Sequence, residues 1–111
     1  MKPYAISLYI PGEAVRILDE KAAAAGISRE ELVNHLILSS RKSYKSWYTR
    51  IIFTPRTVPD AKAFTINLSF KAWKKLRRWQ QGIKVHYRRS FPLSRIVRQV
   101  ILEEVKKGSE R

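Results

Sequence analysis

Side chains that could do chemistry are few in this chain, and their types argue against catalysis. His35 and His86 are the only histidines, both expected at surface or boundary positions. Cysteine is absent, which excludes disulfides and thiolate metal sites alike. Glu30-Glu31 and Glu103-Glu104 look like ordinary helix charges, and no glycine-rich phosphate loop or nucleophile motif occurs. The expectation is a non-enzyme with no metal, no cofactor and no small-molecule substrate. What remains is a set of small polar groups at every second position. Ser7 and Tyr9 lie in Ala5-Ile6-Ser7-Leu8-Tyr9-Ile10; Thr65, Asn67 and Ser69 lie in the run from Ala63 to Phe70. Spaced this way, hydroxyls and a carboxamide form a polar strand face that can donate and accept hydrogen bonds.

Each alternating run has an apolar face as well: Ile6, Leu8 and Ile10 in the first, Phe64, Ile66, Leu68 and Phe70 in the second. A lone strand cannot satisfy its own backbone, so the two runs are expected to pair. Helical spacing follows each of them. Residues 13–25 present Ala14, Val15, Leu18, Ala22 and Ala25 on one stripe, with Gly26 as the left-handed stop. Ser28 and Glu31 then form a capping box ahead of Leu32, Val33, Leu36 and Ile37, a helix expected to reach about Arg41. The second copy repeats this with heavier residues. Residues 71–81 carry Ala72, Trp73, Leu76 and Trp79, with Gly82 as the expected stop and 83–89 as connection. Ile96, Val97, Val100 and Ile101 complete a last helix expected to end near Lys107-Gly108. Pro92 stands where Ser28 caps the first copy, and Ser90 is the alternative cap. The organisation expected is residues 1–41, a basic aromatic connector 42–62, and residues 63–111, around one joint core.

Charge narrows the partner. The net charge is +14 over 111 residues, with 23 Lys/Arg against nine Asp/Glu. Residues 1–40 carry four bases and five acids, 41–62 six and one, and 63–111 thirteen and three. Nine acids cannot pair twenty-three bases, so a polyanion is expected, nucleic acid first. The opening lacks a signal-peptide pattern and no apolar run reaches the roughly 20 residues of a membrane span. An intracellular, cytoplasmic protein with no membrane partner is the expectation.

The order strand, helix, helix, stated twice, resembles the ribbon-helix-helix superfamily of DNA-binding proteins, the group of Arc, MetJ and CopG. The resemblance rests on Ile6-Ser7-Leu8-Tyr9-Ile10-Pro11 with Gly26-Ile27-Ser28-Arg29-Glu30-Glu31-Leu32-Val33, and on Thr65-Ile66-Asn67-Leu68-Ser69-Phe70 with Phe91-Pro92-Leu93-Ser94-Arg95-Ile96-Val97. In tandem, with this aromatic and basic dress, the copies look like transcription regulators of archaeal filamentous viruses, which would place the protein in the host cytoplasm. The resemblance implies an α+β fold: a covalent pseudo-dimer whose two strands form one antiparallel ribbon, with four main helices. Such a ribbon lies in the major groove of double-stranded DNA. The outward residues Ala5, Ser7, Tyr9, Thr65, Asn67 and Ser69 would then read bases, Asn67 best, since a carboxamide pairs bidentately with adenine. Phosphates would be held by Ser28, Arg29, Ser94 and Arg95 at the second helices, with Lys2, Lys62, Lys71, Arg88 and Arg89 nearby. The reading face lacks Arg and Gln, which many members of the superfamily have.

The connector adds two further readings. Tyr44, Trp47, Tyr48, Ile51, Ile52 and Phe53 lie among six basic residues, a mixture that can stack single-stranded bases but is read as packing on the core or at a chain–chain contact. Pro55 and Pro59 stiffen its end. The leading expectation is a sequence-specific transcription regulator, acting as a homodimer or as a chain of protomers along DNA. Its rivals are a charge-driven architectural coat on nucleic acid, and an antitoxin-like module whose connector covers a protein.

Overall fold

The computed structural model describes residues 4–55 and 60–109. The two alternating runs pair with each other. β1 (Ala5–Pro11) lies antiparallel to β2 (Ala61–Asn67) in a two-stranded sheet, with Ser7 opposite Thr65, Leu8 opposite Phe64 and Tyr9 opposite Ala63. Around this ribbon stand α1 (Gly12–Ala24), α2 (Arg29–Ser39), α3 (Tyr44–Ile52), α4 (Phe70–Tyr87) and α5 (Leu93–Ser109). The fold is thus mixed α+β, one antiparallel ribbon plus five helices. Lys2 and Pro59 lie outside the described residues.

The register divides the ribbon into two faces. Leu8, Ile10, Phe64 and Ile66 are buried on the inner face, while Ala5, Ser7, Tyr9, Ala63 and Thr65 are exposed on the outer one. The antiparallel pairing has a local twofold axis. A half-turn about the Ser7–Thr65 pair exchanges Ile6 with Phe64 and Leu8 with Ile66, mapping each residue onto the one 58 further along. The same shift matches the helix N-caps Pro11 and Ser69, then the buried pairs Ala14 with Ala72 and Leu18 with Leu76. The second helices cross over: α5 packs on β1, and α2 reaches β2, where Asn34 Nδ2 donates to the Asn67 carbonyl at 3.1 Å. All the buried apolar side chains consequently belong to a single cluster.

Several elements differ from the sequence expectation. The second strand ends at Asn67, because Ser69 turns out of the ribbon to cap α4, its hydroxyl accepting from the Ala72 N–H at 3.1 Å. The connector 42–62 holds a fifth helix, α3. Ser43 caps it, and Trp47 and Ile51, four apart on one face, are buried in the core. Finally, Gly82 does not stop α4, which runs on to Tyr87; Arg88 in the left-handed conformation (φ 53°) ends it instead. The helix also outlasts its counterpart, with 18 residues against 13 in α1. α2 stops at Ser39, short of Arg41, and α5 continues past Gly108 to Ser109.

At Gly82, α4 comes close to Tyr44 of α3. A Cβ built there would sit 2.7 Å from Tyr44 Cγ and Cδ1. Burial of Ile83 one residue later carries the helix through a glycine that would otherwise cost about 1 kcal/mol. Gly82→Ala should therefore destabilise the protein despite alanine's better helix propensity. Overpacking costs about 1–3 kcal/mol against the roughly 1 kcal/mol gained. A lower urea midpoint at unchanged slope is the expected result.

Candidate nucleic-acid interface

At the centre of the ribbon's outer face Ser7 Oγ and Thr65 Oγ1 lie 3.1 Å apart, hydrogen-bonded across the strands. Each hydroxyl keeps acceptor capacity for an outside donor. Tyr9, 64% exposed, stands beside them opposite Ala63. Ala63 was not among the expected reading residues. Its place follows from the register, centred on Ser7–Thr65, which an isolated strand pattern does not specify.

Two of the expected readers are committed elsewhere. Asn67 is half-buried opposite Ala5, its Nδ2 donating to Glu30 Oε2 at 2.9 Å and its backbone N–H to the same oxygen at 3.1 Å. The carboxamide thus contributes to the joint between ribbon and α2, with one of its two N–H donors engaged there. Ser69 has left the face altogether, serving α4 as cap while its own N–H donates to Asn34 Oδ1 at 2.8 Å. In the sequence alignment that sets Pro92 against Ser28, 64 residues on, the counterpart of Asn34 is Arg98. Pro11, the counterpart of Ser69, has no N–H, so no acceptor is needed there.

The two expected phosphate sites are unequal. At the start of α2, Ser28 and Glu31 form the capping box in both directions, and Glu30 and Glu31 place two carboxylates in the first turn. Arg29 is engaged as well: Nε and Nη2 each donate to Asp19 at 2.6 Å, and the guanidinium lies 4.9 Å from the Phe64 ring centre. This N-terminus already has its anion. The start of α5 has no acid in its first turn. Arg95 and Arg89 both lie over the Phe91 ring, 4.7 and 5.6 Å from its centre. Ser7, Leu8 and Tyr9 join Pro92, Ser94, Arg95 and Arg98 around a groove between β1 and this helix start. Arg98, absent from the expected set, is 9% exposed, and burial lowers its pKa; Nη2 donates to the Pro55 carbonyl at 3.3 Å. Its sequence signal was a lone cation among the apolar positions Val97 and Val100, four residues beyond Ser94.

Lys62 is exposed in β2 opposite Ile10, Lys71 is exposed in the first turn of α4, and Arg88 is the exposed C-cap of that helix. His35 is exposed, and His86 Nδ1 bonds the Gly82 carbonyl at 3.2 Å. Among the described residues, no group of three or more His, Asp or Glu could hold a metal ion, and no helix is long and apolar enough to cross a membrane. Compared with known proteins, the chain matches no family model, no curated protein and no solved structure.

The Asp19–Arg29 pair joins α1 to α2 at one end of the ribbon. The hydrogen bonds from Arg29 hold the Asp19 carboxyl below its usual range, outweighing the desolvation that raises it. A carboxyl lowered in the folded state stabilises above its unfolded pKa and loses that contribution as pH falls through the folded one. Both side chains are more than a third exposed, so the contribution is at most about 1 kcal/mol. Asp19→Asn should lower the urea midpoint at about pH 7, with the gap to wild type closing as the medium is acidified below the Asp19 folded pKa. A constant gap at all pH values would show that charge is not its source.

Proposed function

We propose that the chain is a double-stranded DNA-binding transcription regulator of ribbon-helix-helix type, two units in tandem forming one covalent pseudo-dimer. One observation carries this reading. Two strands of different units pair as a single ribbon whose outer face is small, polar and exposed, flanked by a helix start free of acids. A two-stranded ribbon of this kind fits the major groove, where base edges present distinct donor and acceptor patterns. Ser7, Thr65 and Tyr9 are the direct readers in this proposal, with Ala5 and Ala63 offering methyl contact. Ser94, Arg95 and Arg89 hold the backbone beside them. Phosphate holding is one-sided, since Glu30 and Glu31 repel a phosphate at the other helix start.

A second reading, the architectural coat, is favoured by a specific feature of the same face. With the Asn67 donor bound to Glu30, two alanines, two hydroxyls and one phenol are left to read bases, and charge supplies most of the attraction. The antitoxin-like alternative is less favoured, because Trp47 and Ile51 of the connector are part of the protein's own core, leaving Ile52 and Phe53 as its exposed apolar side chains.

Selection from a random duplex pool at about physiological salt separates the first two. The regulator reading expects an enriched motif that Ser7→Ala/Thr65→Ala abolishes or broadens. The fold should tolerate this change, which removes one exposed cross-strand bond worth about 0.2–1 kcal/mol. Retention of DNA with no enriched sequence in the wild type would sink the regulator and leave the coat.

A further inference from the structure

The two ends of the ribbon are alike in backbone and opposite in chemistry. The half-turn about Ser7 and Thr65 carries Val15, Arg16, Asp19 and Glu20 of α1 onto Trp73, Lys74, Arg77 and Arg78 of α4. At the α1 end these residues border an open cleft, together with Lys62 and the outer-face residue Ala63. The cleft therefore opens beside the reading face. Four of its five lining charges are paired: Arg16 with Glu20 at 2.8 Å and Asp19 with Arg29 at 2.6 Å, Arg16 also reaching Glu13 at 3.6 Å.

At the α4 end the corresponding space is filled with rings. Tyr4, the counterpart of Lys62, packs against Phe70 and Trp73 with centroid separations of 5.7 and 5.0 Å. Lys74 lies over the Phe70 ring at 5.5 Å and Arg77 over Trp73 at 5.8 Å, so both cations are positioned by the aromatic floor. α4 carries six Lys/Arg and no acid, and among the described residues none of those six joins a salt bridge. Like charges three and four residues apart on one helix repel, and an external polyanion relieves that repulsion.

We infer that the α4 face carrying Lys74 and Arg77 is a second, one-sided contact for duplex DNA. It holds phosphates flanking the groove that the ribbon enters, and the α1 end has no counterpart contact. The inference rests on the DNA-binding reading above and extends the footprint in one direction only, from the ribbon end marked by Tyr4 and Phe70.

The test uses the full chain on the duplex that wild type enriches. Affinity is measured against salt, and hydroxyl-radical footprints are taken for wild type, Lys74→Ala/Arg77→Ala, and Arg16→Ala at the pseudo-equivalent place. The wild-type footprint should reach further on one side of the motif. In the α4 variant that extension should vanish, and the slope of log affinity on log salt should flatten by about 0.9 for each phosphate that the variant no longer neutralises. The enriched motif should stay the same, and Arg16→Ala should keep the wild-type slope and footprint. A wild-type footprint equal on both sides, or an α4 variant with unchanged slope and the same motif, overturns the inference and leaves ribbon reading intact. If no motif is enriched, the salt slopes are read on the pool itself: a flatter slope for the α4 variant than for wild type supports the α4 contact while base readout fails, and an unchanged slope overturns both. A wild-type protein that retains no duplex overturns both.

Discussion

Pairing of β1 with β2 is the constraint on which the rest of the structure depends. Neither strand has another neighbour in the described sheet, so each satisfies its ladder groups only through the other. Because its central partners, Ser7 and Thr65, lie 58 residues apart, closing that ladder fixes where the helices after each strand begin. The register then decides which side chains are covered, since a slip of one residue would turn Leu8, Ile10, Phe64 and Ile66 outward. With the ribbon in place, α5 can cover the inner side of β1 and α2 can bond to the end of β2. Each unit is completed by the other, and one cluster of buried side chains serves both.

The order of elements repeats along the chain, but the surface chemistry does not. The N-caps Pro11 and Ser69 occupy equivalent places and solve the same problem differently. Ser69 bonds both Ala72 and Asn34, whereas Pro11 needs no acceptor and faces a unit with Arg98 in place of Asn34. The starts of α2 and α5 differ in the same sense, two carboxylates against none. Electrostatic attraction on this protein is therefore directional along the ribbon. In the proposed DNA complex that direction would set which half of a site is held by backbone contacts and which by the ribbon alone.

The segment between the units acts as a wedge rather than a tether. Trp47 packs against Trp79 with ring centres 5.4 Å apart, and Tyr48 stacks on Tyr87 at 3.8 Å, so α3 is bound along α4 by aromatic faces. Tyr44 settles into the space left by Gly82. The longer α4 and the inserted α3 thus belong together: the extra turns of one provide the surface that the other covers.

Local chemistry by itself determined a good deal of this. Alternation specified both strands, Gly26 (φ 72°) the end of the first unit's leading helix, and Ser28 with Glu31 the cap of the next. These features were legible because they depend on period, backbone conformation and hydrogen bonds within four residues. Basic excess in the second half was equally plain, being a matter of counting. Only the tertiary structure decided the rest. Gly82 carries a strong local signal for a stop, yet burial of Ile83 and the approach of Tyr44 override it. Asn67 Nδ2 donates to Glu30, 37 residues away in sequence, a contact that no strand pattern announces. The connector's aromatics, expected on the core or at a chain–chain contact, go to the core where α4 and α5 cover Trp47 and Ile51. Propensity and capping act over a few residues, so a sequence reveals them. Partner, register and burial are set by contacts between segments that come together only after the ribbon forms.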